Sequence, residues 1–301
     1  MHTTPIRRFS ALMIGAAALA LGLATPARAG DFPPINSPET TTHTPGKLIW
    51  ADLFTSKPAE ATKFYSGLLG WTSSTVHQKG SEYTIFFNGG VPVAGLAPHK
   101  PGKEEHPSKW IGYVSVFDIE ATAALVTKNG GQVHARPKNF PDRGLQAVIT
   151  DGEGIAIGLL QSNSGDPADT DTPSGGWNWF ELYSKDPTAS SQFFHNVLSY
   201  DIAPEARSGR KSEFTLASGG KPRAGIAILP EGEDAKPSWL GVIRVDDLDQ
   251  TLGKVAALGG EVLVTPHPAE YGSRFAIISD STGGTIGLVQ YLDDANPAKT
   301  P

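Results

Sequence analysis

The sequence predicts an α+β protein of two tandem domains, each assembled from two βαβββ modules. Three observations carry that expectation. Shifting the 301-residue chain by 129 positions against itself brings Trp50 onto Trp179, Trp110 onto Trp239, Asp118 onto Asp247 and Gly130-Gly131 onto Gly259-Gly260. The same shift carries Pro137 onto Pro266, Asp151 onto Asp280 and Gln161 onto Gln290, and a one-residue adjustment aligns NGGVPVAGLA from Asn88 with SGGKPRAGIA from Ser218. A register held from Trp50 to Gln161 marks duplication of a whole domain rather than of a short solenoid unit. Within each copy, apolar residues alternate with a period near two, switch to helical spacing, and switch back, twice over. Finally, 34 Gly and 24 Pro are spread along the chain, which suits many short strands and turns.

The elements follow in order. LIWADLF, from Leu48, reads as a strand. The next apolar positions, Ala61, Phe64, Tyr65, Leu68 and Leu69, fall at helical spacing on one stripe, with Pro58 suited to the first turn and Gly70 to the end. Strands are expected near Thr72–Val76, Tyr83–Asn88 and Val91–Ala97, the last two separated by the turn signal Gly89-Gly90. The order then restarts with a strand at Trp110–Phe117, a helix at Ile119–Asn129 closed by Gly130-Gly131, and strands near Gln132–Ala135, Leu145–Thr150 and Ile155–Gln161. The second copy repeats the pattern, its strands and helices starting from Trp179, Pro187, Trp239 and Asp247.

These elements place one domain at residues 44–162 and the other at 177–293. The polar, Gly/Pro-rich stretch 163–176 between them reads as an exposed linker. DFPPINSPETTTHTPG before the first domain and residues 294–301 after the second read as loose termini. Residues 1–29 resemble a cleavable export signal: Arg7-Arg8, an apolar run from Ala11 to Ala24, and the small-residue site Ala27-Arg28-Ala29. A membrane anchor needs about twenty apolar residues, and this run stops short of Pro26. Cleavage is expected near Ala29 with export to the periplasm or medium; Arg7-Arg8 leaves the general secretory and twin-arginine routes both open.

With no Cys, neither disulfides nor thiolate chemistry is available. A formal net charge of −6, with no block of Lys or Arg, argues against nucleic acid or an anionic membrane surface as partner. No nucleotide-binding glycine motif or nucleophile elbow stands out. More informative are the two first strands, each of which sets a Trp two residues ahead of a carboxylate: Trp50 with Asp52, and Trp179 with Glu181. Alternate residues of a strand share a face, so each indole and its acid look the same way.

The stretches DLFTSKPAEATKFYSGLLGW and ELYSKDPTASSQFFHNVLSY, the Gly-Gly after each second helix, and TDGEGIAIGLLQ with SDSTGGTIGLVQ resemble the vicinal oxygen chelate superfamily. Glyoxalase I, extradiol dioxygenases and bleomycin-resistance proteins belong to it, and the resemblance spans Lys47–Leu292. It implies that each pair of modules curls into a cup-like mixed sheet, in relatives usually holding a divalent metal through residues on the first and fourth strands. Counting back from Phe64-Tyr65 and Phe193-Phe194, the first-strand positions where metal-binding relatives carry His fall on Trp50 and Trp179, with Ile111 and Leu240 as counterparts in the second modules. The fourth-strand positions where relatives carry Glu fall on Gly95, Gly158, Gly225 and Gly287. Indole offers no lone pair to a metal, and glycine has no side chain. No metal and no cofactor are therefore expected.

Such cups suit a planar or apolar small molecule, with Trp50, Trp179, Gly95, Gly158, Gly225 and Gly287 as the expected contacts. Asp52 and Glu181 could accept a hydrogen bond from it, or act as general bases if burial raised a carboxylate toward neutrality. The chain is thus read as an exported, metal-independent small-molecule-binding protein. An enzyme is the alternative: a metal-dependent lyase or dioxygenase, or a metal-free isomerase or hydroxylase-like catalyst using Asp52 or Glu181. A third reading fills both cups with their own Trp side chains. Trp110 and Trp239 are expected to plug modules or domains together. His99, Glu104, Glu105 and His106 read as a solvated loop, His134 and His267 as isolated surface or rim residues, and Arg143 and Arg274 as surface residues, able to bind a carboxylate or phosphate bidentately only if either entered a cup.

Overall fold

The computed structural model describes residues 32–78, 81–99, 108–204, 212–231, 236–269 and 272–292. The expected leader at 1–29, Glu104 to His106 and the expected tail at 294–301 lie outside them. The first domain runs β1 (Leu48–Thr55), α1 (Pro58–Leu69), β2 (Thr72–Gln78), β3 (Ser81–Asn88), β4 (Val91–Pro98), β5 (Lys109–Ser115), α2 (Ile119–Lys128), β6 (Gln132–Phe140), β7 (Gly144–Thr150) and β8 (Ala156–Ser162). The second repeats it with β9 (Trp177–Ser184), α3 (Pro187–Leu198), β10 (Asp201–Pro204), β11 (Ser212–Ser218), β12 (Lys221–Ile228), β13 (Ser238–Arg244), α4 (Leu248–Val255), β14 (Glu261–Pro268), β15 (Ser273–Ser279) and β16 (Thr285–Tyr291). Each domain is one eight-stranded mixed sheet, ordered β2-β3-β4-β1-β5-β8-β7-β6 and β10-β11-β12-β9-β13-β16-β15-β14. The predicted architecture of two tandem domains with two βαβββ modules each is the one observed.

Many residues matched by the duplication are structural. Asp118 and Asp247 cap α2 and α4, accepting from Ala121 N at 2.9 Å and Gln250 N at 2.8 Å. Gln161 and Gln290 each accept from the first backbone N–H of the same helix, Ile119 at 3.1 Å and Leu248 at 3.2 Å. Asp151 and Asp280 hold the turns before β8 and β16 by accepting backbone N–H bonds from Ile155 and Gly284, both at 2.9 Å.

The helix-bearing faces of the two sheets bury each other crosswise. One core joins α1 residues Phe64, Tyr65 and Leu68 to Leu248, Val255, Ile278 and Ile286 of the second domain. The other joins Ile119, Val126 and Ile149 to Phe193, Phe194, Val197 and Leu198. The duplicated Gly-Gly pairs follow from this packing. Their second members, Gly131 and Gly260, lie where a Cβ would come within 2.8 Å of Phe193 and 2.5 Å of Phe64, a Phe of the other domain's first helix in each case. Polar bonds cross the same seam: the Tyr65 hydroxyl donates to Asp280 Oδ2 at 2.8 Å and accepts from Trp110 Nε1 at 2.7 Å. Trp110, 5.1 Å from Trp177 between ring centres, is the domain contact expected of it, and Trp239 packs on Phe194 at 5.4 Å against both cores.

Two expectations need correction. The stretch 163–176 is not exposed throughout, because Ser164, Asp166, Gly175 and Gly176 are buried. Asp166 Oδ2 accepts from Thr44 N and Ser115 Oγ, both at 2.6 Å, and Asp169 pairs with Lys47 and Arg223, which holds its carboxyl well below the usual range. The segment before the first domain is likewise not loose from Phe32 onward. Phe32 and Ile35 are buried in the first cup, and Asn36 and Thr40 donate backbone N–H bonds to Ser164. Composition alone missed this because two apolar residues in a Pro-rich arm suffice to anchor it.

Since neither core is made by one domain alone, urea denaturation of the chain is expected to show a single transition, coincident by Trp fluorescence and far-ultraviolet circular dichroism. Tyr65→Phe strips partners from Trp110 and Asp280 at the seam and is expected to lower stability by about 1–3 kcal/mol. Two separated transitions in the wild type would show that each sheet closes its own core.

Candidate functional site

With Ala51, Leu53, Phe180 and Leu182 turned into the shared cores, the alternate residues of β1 and β9 face the opposite side of each sheet. There the two Trp–acid pairs lie. Trp50 Nε1 donates to Asp52 Oδ1 at 2.7 Å, and Trp179 Nε1 donates to Glu181 Oε2 at 2.7 Å. Parallel pairing sets Asp52 beside Gly95 and Tyr113 beside Gly158, so Asp52 and Tyr113 are counterparts, as are Trp50 and Ile111. In the second domain Glu181 pairs with Gly225 and Val242 with Gly287.

The first cup is closed and polar at its centre. Asp52 is 4% exposed and accepts from Tyr83 as well, at 2.5 Å. Burial, with the Asp52 carboxylate adding to it against the opposing Arg143 charge, raises the Tyr83 hydroxyl far above its ordinary range. Burial and the same carboxylate raise Tyr113 as well. Gly95 and Gly158, expected as ligand contacts, are therefore covered by this protein's own side chains. A Cβ on Gly95 would lie 1.7 Å from the Tyr83 hydroxyl and 2.2 Å from Asp52 Oδ1, and one on Gly158 would lie 2.2 Å from the Tyr113 ring. Glycine is what lets these three side chains occupy the space.

Arg143, expected on the surface, enters this cup and is 1% exposed. Its turn lies between β6 and β7, where Asp142 has φ 66° and Gly144 φ 120°. A Cβ on Gly144 would sit 2.0 Å from the Gln161 carbonyl, so only glycine fits, and the turn directs Arg143 inward. The guanidinium lies 4.2 Å from the centre of the Trp50 ring, and Nη1 donates to Tyr83 at 2.7 Å, so the Tyr83 hydroxyl stands between Arg143 and Asp52. Phe32 of the N-terminal arm closes the cup, with its ring 5.0 Å from Tyr83 and 5.7 Å from Phe140.

The second cup differs at each of these points. The repeat puts Gly272 at the place of Arg143, Glu213 at that of Tyr83 and Val242 at that of Tyr113. Trp179, Glu181 and Tyr183 stay half-buried. Glu181 lies over Gly225, whose Cβ would come within 2.3 Å of its Oε2. Phe275 covers Gly287 at 2.8 Å by the same measure. Burial and the Glu181 charge push the Tyr183 hydroxyl up to about 12.

A family model described as Glyoxalase/Bleomycin resistance protein/Dioxygenase superfamily matches residues 47–159 and again 176–288. The chain belongs to this superfamily. The Mycobacterium tuberculosis protein named "Putative glyoxylase CFP32" is 30% identical over 257 residues, covering 84% of this chain and 98% of that protein. "Anthracycline biosynthesis protein DauV" of Streptomyces sp. strain C5 is 30% identical over 273 residues, covering 86% and 98%. Among solved structures, a Mn(II)-bound glyoxalase from Novosphingobium aromaticivorans superposes with a TM-score of 0.58 at 14% identity, over 83% of each chain. The 2,3-dioxygenase LapB from Pseudomonas sp. KL28 gives 0.56 at 13%, over 87% of this chain and 97% of its own. At those identities the likeness is one of fold.

The residues present do not fit the metal that superfamily membership implies. A divalent ion of this kind needs several His, Cys or carboxylate donors meeting at one point. Among the described residues no group of three or more such side chains could hold one. His134 is exposed with Thr150 Oγ1 at 3.3 Å, and His267 lies beside Phe275 at 5.6 Å. His99 is half-buried, and its backbone N–H donates to Thr55 O at 2.9 Å. Arg274 stays outside the cups, paired with Asp249 at 2.7 Å.

The Tyr183 hydroxyl gives a direct readout of the second cup. Its pKa lies above the ordinary 10.0, so its stability contribution is complete below pH 10 and is lost as pH rises through about 12. In ultraviolet titration, the step absent from Tyr183→Phe is expected to move to lower pH in Glu181→Gln. An unmoved step would mean that the Glu181 carboxylate does not act on this phenol.

Proposed function

We propose that the chain is an exported, metal-independent small-molecule-binding member of its superfamily, with the second cup as the open site for a planar ligand. The observation that carries this reading is the indole–carboxylate bond at the family's first-strand ligand position. It fixes a flat apolar surface beside an oriented acceptor, where relatives of the metal-binding kind need a free donor atom. In the second cup that pair is half-buried, with Tyr183 two residues on along the same strand face. A planar molecule can stack on Trp179 and donate to Glu181. Export rests on the leader-like residues 1–29.

The enzymatic alternative favours Glu181, which is half-buried, over Asp52, which is 4% exposed and accepts from both Trp50 and Tyr83 through Oδ1. A carboxylate so engaged orients its neighbours better than it abstracts a proton.

The test is a screen of planar aromatic compounds by quenching of Trp fluorescence, on mature protein exhaustively dialysed against chelator. Saturable binding is expected to persist without metal and to weaken on the order of tenfold in Trp179→Ala. Binding or turnover that appears only when manganese, zinc, iron or nickel is added would overturn the reading. Metal-free turnover abolished in Glu181→Gln would favour the enzyme.

A further inference from the structure

The first cup holds a buried cation whose hydrogen-bonding capacity is only partly used. Arg143 Nη1 donates to Tyr83, but Nε and Nη2 are buried without a hydrogen-bond partner. Burying a guanidinium with unmet N–H groups is costly unless something accepts from them. The unmet atoms are not arbitrary: Nε–H and Nη2–H form one edge of the fork and run parallel, the arrangement that takes both oxygens of a carboxylate. A further donor, Gln146 Nε2, is also buried and unpartnered. Gln146 pairs across the sheet with Leu160, which packs with Trp50 and Tyr113, so this amide belongs to the same cup. All three orphaned atoms are donors, and what they lack is an acceptor.

Beside them the cup already accommodates an aromatic ring. The Phe32 phenyl sits 5.1 Å from the Arg143 guanidinium, edge-on to Tyr83 and perpendicular to Phe140. It is carried on an arm rather than on the sheet, so the same space can be vacated without dismantling the fold. We propose that the first cup binds a small aryl-alkanoate, its carboxylate on the Nε/Nη2 edge of Arg143 and its ring in the place of Phe32, with the arm acting as a tethered competitor. An amide would not serve equally: it presents one acceptor and one N–H donor to an edge made only of donors. The inference rests on the reading of the cups as metal-independent ligand sites, and it assigns the two cups different ligand chemistry.

Calorimetric titration of the chelator-treated mature chain with 3-phenylpropionate and with 3-phenylpropionamide tests it. In Phe32→Ala the acid is expected to bind at least tenfold more tightly than the amide, and more tightly than it binds to wild type, where the arm competes. Arg143→Lys, combined with Phe32→Ala, keeps the charge but removes the fork, and is expected to abolish most of that preference while circular dichroism stays native. Equal binding of acid and amide in Phe32→Ala, or no binding of either, overturns the inference. Planar molecules still bound at Trp179 would then leave the broader reading standing, whereas loss of binding in both cups would sink it as well.

Discussion

The crosswise burial of helices between the two sheets is the constraint on which the rest of the molecule depends. Each sheet has one helix-covered face, and α1 packs with α4 while α2 packs with α3. With that face committed to the partner domain, the candidate site residues of each sheet lie on the other one. The two cups therefore lie on opposite sides of the shared core, and neither can borrow side chains from the other. The Phe64–Gly260 and Phe193–Gly131 approaches tie both halves to the same solution. The duplicated motifs serve this seam in both copies, whereas the residues around the cups differ between them.

Those differences make two unlike sites from one template. The Trp–acid pair survives in both, because an indole N–H at 2.7 Å fixes the carboxylate wherever the strand geometry repeats. What surrounds it does not survive. In the first cup Arg143, Tyr83 and Tyr113 converge on Asp52 and the arm seals them under Phe32. In the second, Gly272, Glu213 and Val242 stand at those positions, and the pair remains half-buried. The first cup pairs a buried cation with a buried carboxylate through Tyr83, whereas the second holds a half-buried carboxylate with glycine at the place of Arg143.

Much of the fold was legible from the chain. The 129-residue register located both domains, and the switch in apolar period located the helices to within a residue or two, because burial on one face imposes that periodicity directly. The cups were legible only in part. Trp50, Asp52 and their counterparts were visible because strand alternation dictates which way they face. Arg143 was not, because a turn residue has no periodicity to orient it; the available clue was Gly144 after it, together with its replacement by Gly272 in the second copy. The buried arm was missed for a related reason: Phe32 and Ile35 are too few to form a pattern, yet together they anchor a segment whose composition reads as loose.

The residues matched by the duplication and those not matched divide the work. Asp118, Gln161, Asp151 and the Gly-Gly pair cap helices, hold turns and admit the other domain's Phe, which is why both copies require them. Trp50 and Trp179 are the exception, conserved between copies yet turned away from the core. A core-filling role does not require them to point outward, and an indole with its N–H engaged no longer needs water at that edge. Trp179 stays half-buried, whereas Trp50 is 2% exposed and has the Arg143 guanidinium over its ring at 4.2 Å. On the proposed reading an indole stands where metal-binding relatives carry a ligand, so that the cup's selectivity would pass to the groups around the Trp. Those are the groups in which the two copies differ.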